Sequence, residues 1–110
     1  MNELVERLSK GDHPVAFGRG EDTAKDLKER IDRGFVLVKF TGTQGGTELG
    51  LSLDKNATDV SGADFEQTTG TVHLVGDLIL NYERVRCIAD IDLATLKGTG
   101  HLEHIETVSP

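Results

Sequence analysis

Apolar and polar residues alternate over residues 71–93, TVHLVGDLILNYERVRCIADIDL, in two runs that a polar segment separates. A period of two residues is typical of a β-strand with one buried face. The pattern therefore predicts a β-hairpin, and the other segments can be placed against it. Its predicted buried residues are Val72, Leu74, Leu78, Leu80 and Tyr82 in the first run and Val85, Cys87, Ala89, Ile91 and Leu93 in the second.

The turn of this hairpin is predicted at residues 81–84 (NYER), which lack the Asn-Gly pair of the tightest hairpins. That turn fixes the register, because a slip of one residue would place apolar residues opposite polar ones. It places Gly76 opposite Ala89, which predicts a shallow site for a side chain from a helix. On the other face it places His73 opposite Asp92.

Two helices are predicted before the hairpin. The first covers residues 2–10, with Asn2 as its cap and Gly11 at its end. The second covers residues 22–33, where Asp22 or Thr23 is the cap and positions 24, 27 and 31 are apolar at helical spacing. Residues 12–20 between the helices are interpreted as a loop.

Further strands are predicted at residues 35–40 (FVLVKF), 47–53 (TELGLSL) and 100–108 (GHLEHIETV). Residues 54–70 are interpreted as an irregular segment, or alternatively as a lid over a binding site. The predicted fold class is α+β, with two N-terminal helices followed by a curled antiparallel sheet, or partly open barrel, of about five strands.

Composition narrows the possible classes of protein. The 110 residues are expected to form a single α+β domain over 1–110, with one cysteine and no apolar run of membrane-spanning length. A net charge of −7 opposes binding to a phosphate backbone, so we expect neither nucleic acid nor membrane as a partner. The N-terminus carries no recognisable signal peptide, which favours a cytoplasmic protein. The glycine-rich residues 42–46 lack the lysine and helix of a phosphate loop, so no cofactor is expected.

The predicted pair of His73 and Asp92 is the sharpest chemical feature. Opposed Cβ atoms lie roughly 5 Å apart, and a carboxylate can orient a histidine for proton transfer. A row of His73, Asp92 and His101 could bind a metal if the last strand places His101 opposite Asp92. The same register places Asp90 opposite Glu103, which is repulsive. We therefore favour a surface salt bridge and predict no metal site unless that register holds.

The second face of the hairpin is mixed, because it carries apolar and charged residues together with two residues of FVLVKF. Its candidate ligand-binding residues are Val75, Asp77, Ile79, Arg86, Ile88 and Asp90. An apolar patch beside fixed charges could line a small-molecule cavity, form a homodimer or bind a partner protein.

The residues thus predict a small, soluble, non-catalytic binding or accessory protein that acts through the mixed face, as a homodimer or with a protein partner. The alternative is a small enzyme with a pocket inside the curled sheet. In that enzyme His73 and Asp92 would be catalytic, Arg86 would contact an anion, and residues 54–70 would form a lid. It would isomerise, cyclise or hydrate a small organic substrate.

Overall fold

A computed structural model describes residues 3–18 and 23–108 of the chain. The elements in chain order are α1 (Glu3–Leu8), β1 (His13–Phe17), α2 (Ala24–Arg33), β2 (Phe35–Phe40), β3 (Thr47–Leu53), β4 (Ala63–Asp64), β5 (Thr69–Leu80), β6 (Glu83–Asp92) and β7 (Lys97–Thr107). The predicted caps Asn2 and Asp22 lie outside the described residues. Neither helix in the described part of the chain is long and apolar enough to cross a membrane.

The strands form one antiparallel sheet that closes on itself. Its order is β3-β2-β1-β7-β6-β5-β4, and an additional pairing joins β3 to β5. The α+β class and the curled antiparallel sheet are confirmed. The expected five strands are wrong, because the described residues form seven.

The unpredicted strand β1 lies within the segment that was interpreted as a loop. Val15 and Phe17 point inward and are buried, and Val15 pairs with Phe40 on one side and Gly98 on the other. Five residues that include Pro14 give too short an alternating run to identify the strand from sequence.

Side chains fill the interior of the barrel. Inward residues of β1, β2, β3, β5, β6 and β7 form one cluster with Val5 and Leu8 of α1 and Ala24 and Leu27 of α2. Helix α2 begins at a capping box, in which Thr23 and Asp26 each accept a hydrogen bond from the other's backbone N–H. The helices therefore complete the core, and the pocket that the enzyme alternative places inside the sheet is occupied by core side chains.

The central hairpin has the predicted faces but not the predicted register. Its turn is the two-residue pair Asn81-Tyr82, at φ 50° and 65°, so that Leu80 pairs with Glu83. A shift of two residues keeps the side chains of the strands on their faces and changes every partner. Tyr82, which was predicted to share the buried face, lies in the turn and is 60% exposed. Gly76 is therefore opposite Cys87, and Leu51 of β3, rather than a helical side chain, lies against it.

The chain between β3 and β4 runs along the outer edge of β5. The N–H of Asp54 donates to the carbonyl of Val75, and Asp59 exchanges two backbone hydrogen bonds with His73. The N–H of Thr71 donates to the carbonyl of Gly62. These bonds protect the edge of the longest strand, so this part of the segment is not a lid but an irregular continuation of the sheet.

Candidate interaction surface

The six candidate ligand-binding residues all lie on the outer face of β5 and β6, which we call the mixed face. The ladder between the two strands sets Val75 opposite Ile88 and Asp77 opposite Arg86. Towards the turn, Ile79 is opposite Arg84. Alternation alone was enough to place these side chains on one face, because it does not depend on the register.

His73 is paired with Asp90 and not with Asp92. Its Nδ1 atom lies 2.7 Å from Oδ1 of Asp90, and both side chains are about half exposed. Asp92 instead lies opposite Thr71 and Lys97, and it accepts a hydrogen bond from the N–H of Ala94. The predicted pair of His73 and Asp92 was wrong because the two-residue turn moves β6 by two positions.

The row of His73, Asp92 and His101, which was to bind a metal only if His101 lay opposite Asp92, does not form. His101 lies opposite Ile88, and its ring nitrogens are 3.5 Å from Asp12 and 3.7 Å from Glu103. Among residues 3–18 and 23–108, no three histidine, cysteine, aspartate or glutamate side chains are grouped to hold a metal ion. The register behind this row fails because β7 begins at Lys97, three residues before the predicted strand.

Two carboxylates hold Arg86 in place. Its Nε atom donates to Oδ1 of Asp77 at 3.1 Å, and its Nη2 atom lies 3.5 Å from Oδ2 of Asp54. The Arg86 side chain is about one-third exposed. The Arg86 guanidinium thus links the mixed face to the segment that follows β3, and the two carboxylates fix its orientation.

The apolar residues of the mixed face differ in their exposure. Val75 is buried, and the Thr58 hydroxyl bonds to both its N–H and its carbonyl. Ile88 is half-buried, whereas Ile79 is 58% exposed. Phe35, on the outer face of β2, is 48% exposed. The accessible apolar part therefore lies at the end of the face near the Asn81-Tyr82 turn.

A polar cluster on the inner side of that same end was not predicted. Glu83 is almost fully buried, and its carboxylate accepts hydrogen bonds from Nε2 of His104 and from the hydroxyl of Thr107. The hydrogen bond from His104 holds the pKa of Glu83 below its ordinary value. Glu83 was predicted to lie in the turn, although a carboxylate on the parity of Val85 is a signal of a buried partner.

Cys87 is buried inside the barrel, as its parity predicted. Burial raises the pKa of its thiol to about 12, because the interior disfavours the thiolate. The thiol is therefore part of the core and unsuited to act as a nucleophile.

The interior of the barrel is filled, and the ion pairs of His73 with Asp90 and of Arg86 with Asp77 lie on its outside, so the described residues offer an outer surface for contact with other molecules. Residues 2–109 match the model of the family described as core binding factor beta subunit, and the chain belongs to that family. It is the family of a non-catalytic, partner-binding subunit. No individual curated protein matches the chain.

Proposed function

We propose that the chain is a non-catalytic accessory subunit that binds a protein partner through the exposed end of its mixed face. The observation that carries this proposal is the exposure of Ile79 beside charged residues, on the outside of a barrel whose interior is filled. The family match supports a subunit that acts within a complex.

The arrangement suits specific binding. Ile79 supplies apolar area for affinity, while Asp77, Arg84 and Arg86 supply charges that orient a partner and reject wrong ones. Arg86 is already fixed by Asp77 and Asp54, so binding costs little additional ordering of its side chain. The net charge of −7 favours contact with a protein over direct contact with a phosphate backbone.

The test is affinity capture from the native cells with the full chain as bait, followed by mass spectrometry. We expect Ile79→Asp to lose a specific protein partner that the wild type retains. Val60→Asp is the matched control, because Val60 is also an exposed apolar residue, at 37%, but is not part of the mixed face. Retention of every partner by Ile79→Asp would contradict the proposed surface.

A second copy of the chain on the same face would make an isologous homodimer. Light scattering at two concentrations separates this outcome from binding to a different protein. A wild-type dimer that Ile79→Asp converts into a folded monomer would show self-association through the mixed face. A monomeric wild type would mean that the mixed face binds a different protein rather than a second copy of the chain.

A further inference from the structure

The barrel is closed over a short distance between β3 and β5. The ladder there contains two residue pairs, Ser52 with Asp77 and Leu53 with Gly76. The same register, continued, would pair Leu51 with Leu78 and Gly50 with Ile79, and the ladder does not include these pairs. A cleft of about 400 Å³ lies at this place. We call this opening the seam, and its lining residues are Ser52, Asp77, Leu78, Ile79 and Arg84.

Backbone groups of β5 point into the seam. In a hairpin with a two-residue turn, the residues that flank the turn exchange hydrogen bonds, and every second residue repeats the pattern. Even-numbered residues of β5 therefore bond to β6, and odd-numbered residues face the other way. The bonds of His73 with Asp59 and of Val75 with Asp54 confirm this direction. The N–H and carbonyl of Ile79 consequently face the seam.

Backbone groups of β3 face the seam from the opposite side. The N–H of Leu53 donates to the carbonyl of Gly34, which immediately precedes β2. Odd-numbered residues of β3 thus direct their backbone groups towards β2, and even-numbered residues direct theirs away from it. Ser52 uses its groups in the ladder with Asp77, so the next residue that faces the seam is Gly50.

Both faces of the seam carry apolar side chains, although Ser52, Asp77 and Arg84 also line it. On the inner face, Leu78 and Leu80 are only partly buried, whereas Leu74 on the same strand and face is fully buried. On the outer face, Ile79 is exposed and the Phe35 ring lies across Gly50, where an added Cβ would come within 2.5 Å of the ring. The seam thus combines two strand edges with apolar side chains on both faces, beside the charged Asp77 and Arg84.

We propose that an extended segment of a protein partner adds to the barrel as a strand at the seam. Its backbone would bond to Ile79 or Gly50, and its apolar side chains would alternate between Leu78 and Leu80 inside and Phe35 and Ile79 outside. Addition of a strand takes affinity from main-chain hydrogen bonds and specificity from alternate side chains. This inference rests on the proposed function, since it assigns the mode of binding to the same end of the mixed face.

Hydrogen exchange of the free chain, followed by NMR, tests the premise. We expect the amides of Ile79 and Gly50 to exchange roughly tenfold or more faster than those of His73 and Asp59, which are bonded to each other. Equal protection of the two sets of amides would show that the seam is closed in solution and would overturn the inference.

Short random peptides displayed on phage serve as the probe for the mode of binding. Peptides selected on the wild type and rejected by Ile79→Asp should slow exchange of the Ile79 or Gly50 amide. N-methylation of one peptide nitrogen should weaken binding by about tenfold at alternate positions and leave it unchanged between them. Failure to select such a peptide, or tolerance of N-methylation throughout, would overturn strand addition.

The outcomes separate the inference from the proposed function. If Ile79→Asp loses the captured protein while N-methylated peptides still bind, the mixed face binds its partner by side chains alone and strand addition is wrong. If Ile79→Asp retains every partner, the proposed function itself fails. A dimer of the chain whose Ile79 amide is protected would place a second copy in the seam and would also overturn the inference.

Discussion

Gly76 of β5 and Leu51 of β3 approach so closely that a Cβ atom added to Gly76 would lie 2.8 Å from the Cβ atom of Leu51 and 2.9 Å from the carbonyl oxygen of Ser52. This contact lies beside the two residue pairs that close the barrel. The closure therefore depends on the absence of a side chain at position 76.

The first prediction concerns this contact. Gly76→Ala should lower the free energy of unfolding by about 1–3 kcal/mol, because the added methyl group must displace backbone as well as side chain. Urea unfolding measures the loss. Gly62→Ala is the control, since its nearest contact would be an ordinary 3.6 Å from the carbonyl of Thr71, and its stability should stay near that of the wild type. Equal stability of the two variants would show that β3 can yield at this point.

The second prediction concerns pH. Because the hydrogen bond from His104 lowers the pKa of Glu83 from 4.5 in the folded chain, the ionised carboxylate stabilises the fold above that pH. The contribution is lost as the pH falls through the lowered value. Glu83→Gln should therefore be less stable than the wild type at neutral pH, and the difference should shrink on acidification below pH 4.5.

Urea unfolding of the wild type and of Glu83→Gln at several pH values measures this difference in stability. The exposed Glu66→Gln is the control, and its stability should follow that of the wild type. A difference between Glu83→Gln and the wild type that stays constant from neutral pH to about pH 3 would contradict the linkage.

The third prediction concerns Cys87, whose thiol has a raised pKa of about 12 inside the barrel. A thiol reagent should label it only as fast as the barrel opens, because the thiolate is the reactive form. The labelling rate should rise steeply in urea. The control is Ser61→Cys, on the exposed segment before β4, whose thiol should react at once. If Cys87 reacted in the native state at a rate comparable to that of the cysteine at position 61, the barrel would open readily.

The fourth prediction distinguishes the two possible partners of His73. A double-mutant cycle of alanine variants at His73 and Asp90 should give a coupling free energy of roughly 0.2–1 kcal/mol. The cycle at His73 and Asp92 should give almost none. Added salt should weaken the first coupling, since both side chains are exposed. A larger coupling to Asp92 would mean that the hairpin has the four-residue turn in solution.

The faces of the hairpin could be predicted from sequence, but its pairing could not. Side-chain alternation depends on the strand alone, so Val75, Ile79 and Ile88 were placed correctly together. Register depends on the turn, and here Tyr82 adopts a positive φ of 65°, which bulky residues seldom do. Nothing in the residue pattern of 81–84 indicates that choice.

The remaining differences have similar causes. The register of β7 depends on the turn after Asp92, where Leu96 has a positive φ of 58°, and on a bulge between Arg84 and Val85. The seam could not be predicted from the sequence. It forms where β3 pairs with β5, and the segment between these two strands is irregular, so no turn fixes how they meet. Gly76 indicated a site that a neighbouring residue could fill, but the predicted occupant was a side chain from a helix rather than Leu51 of β3.

The neighbours of β1 have a consequence for how the protein is made. Among the described strands β1 is synthesised first, and it lies between β2 and β7, which is synthesised last of these strands. Until β7 emerges, the edge of β1 that later pairs with Gly98 and Gly100 has no partner, and the barrel cannot close. The sheet therefore stays open from the synthesis of β1 until that of β7, and during this interval association with a chaperone or another chain competes with completion of the fold.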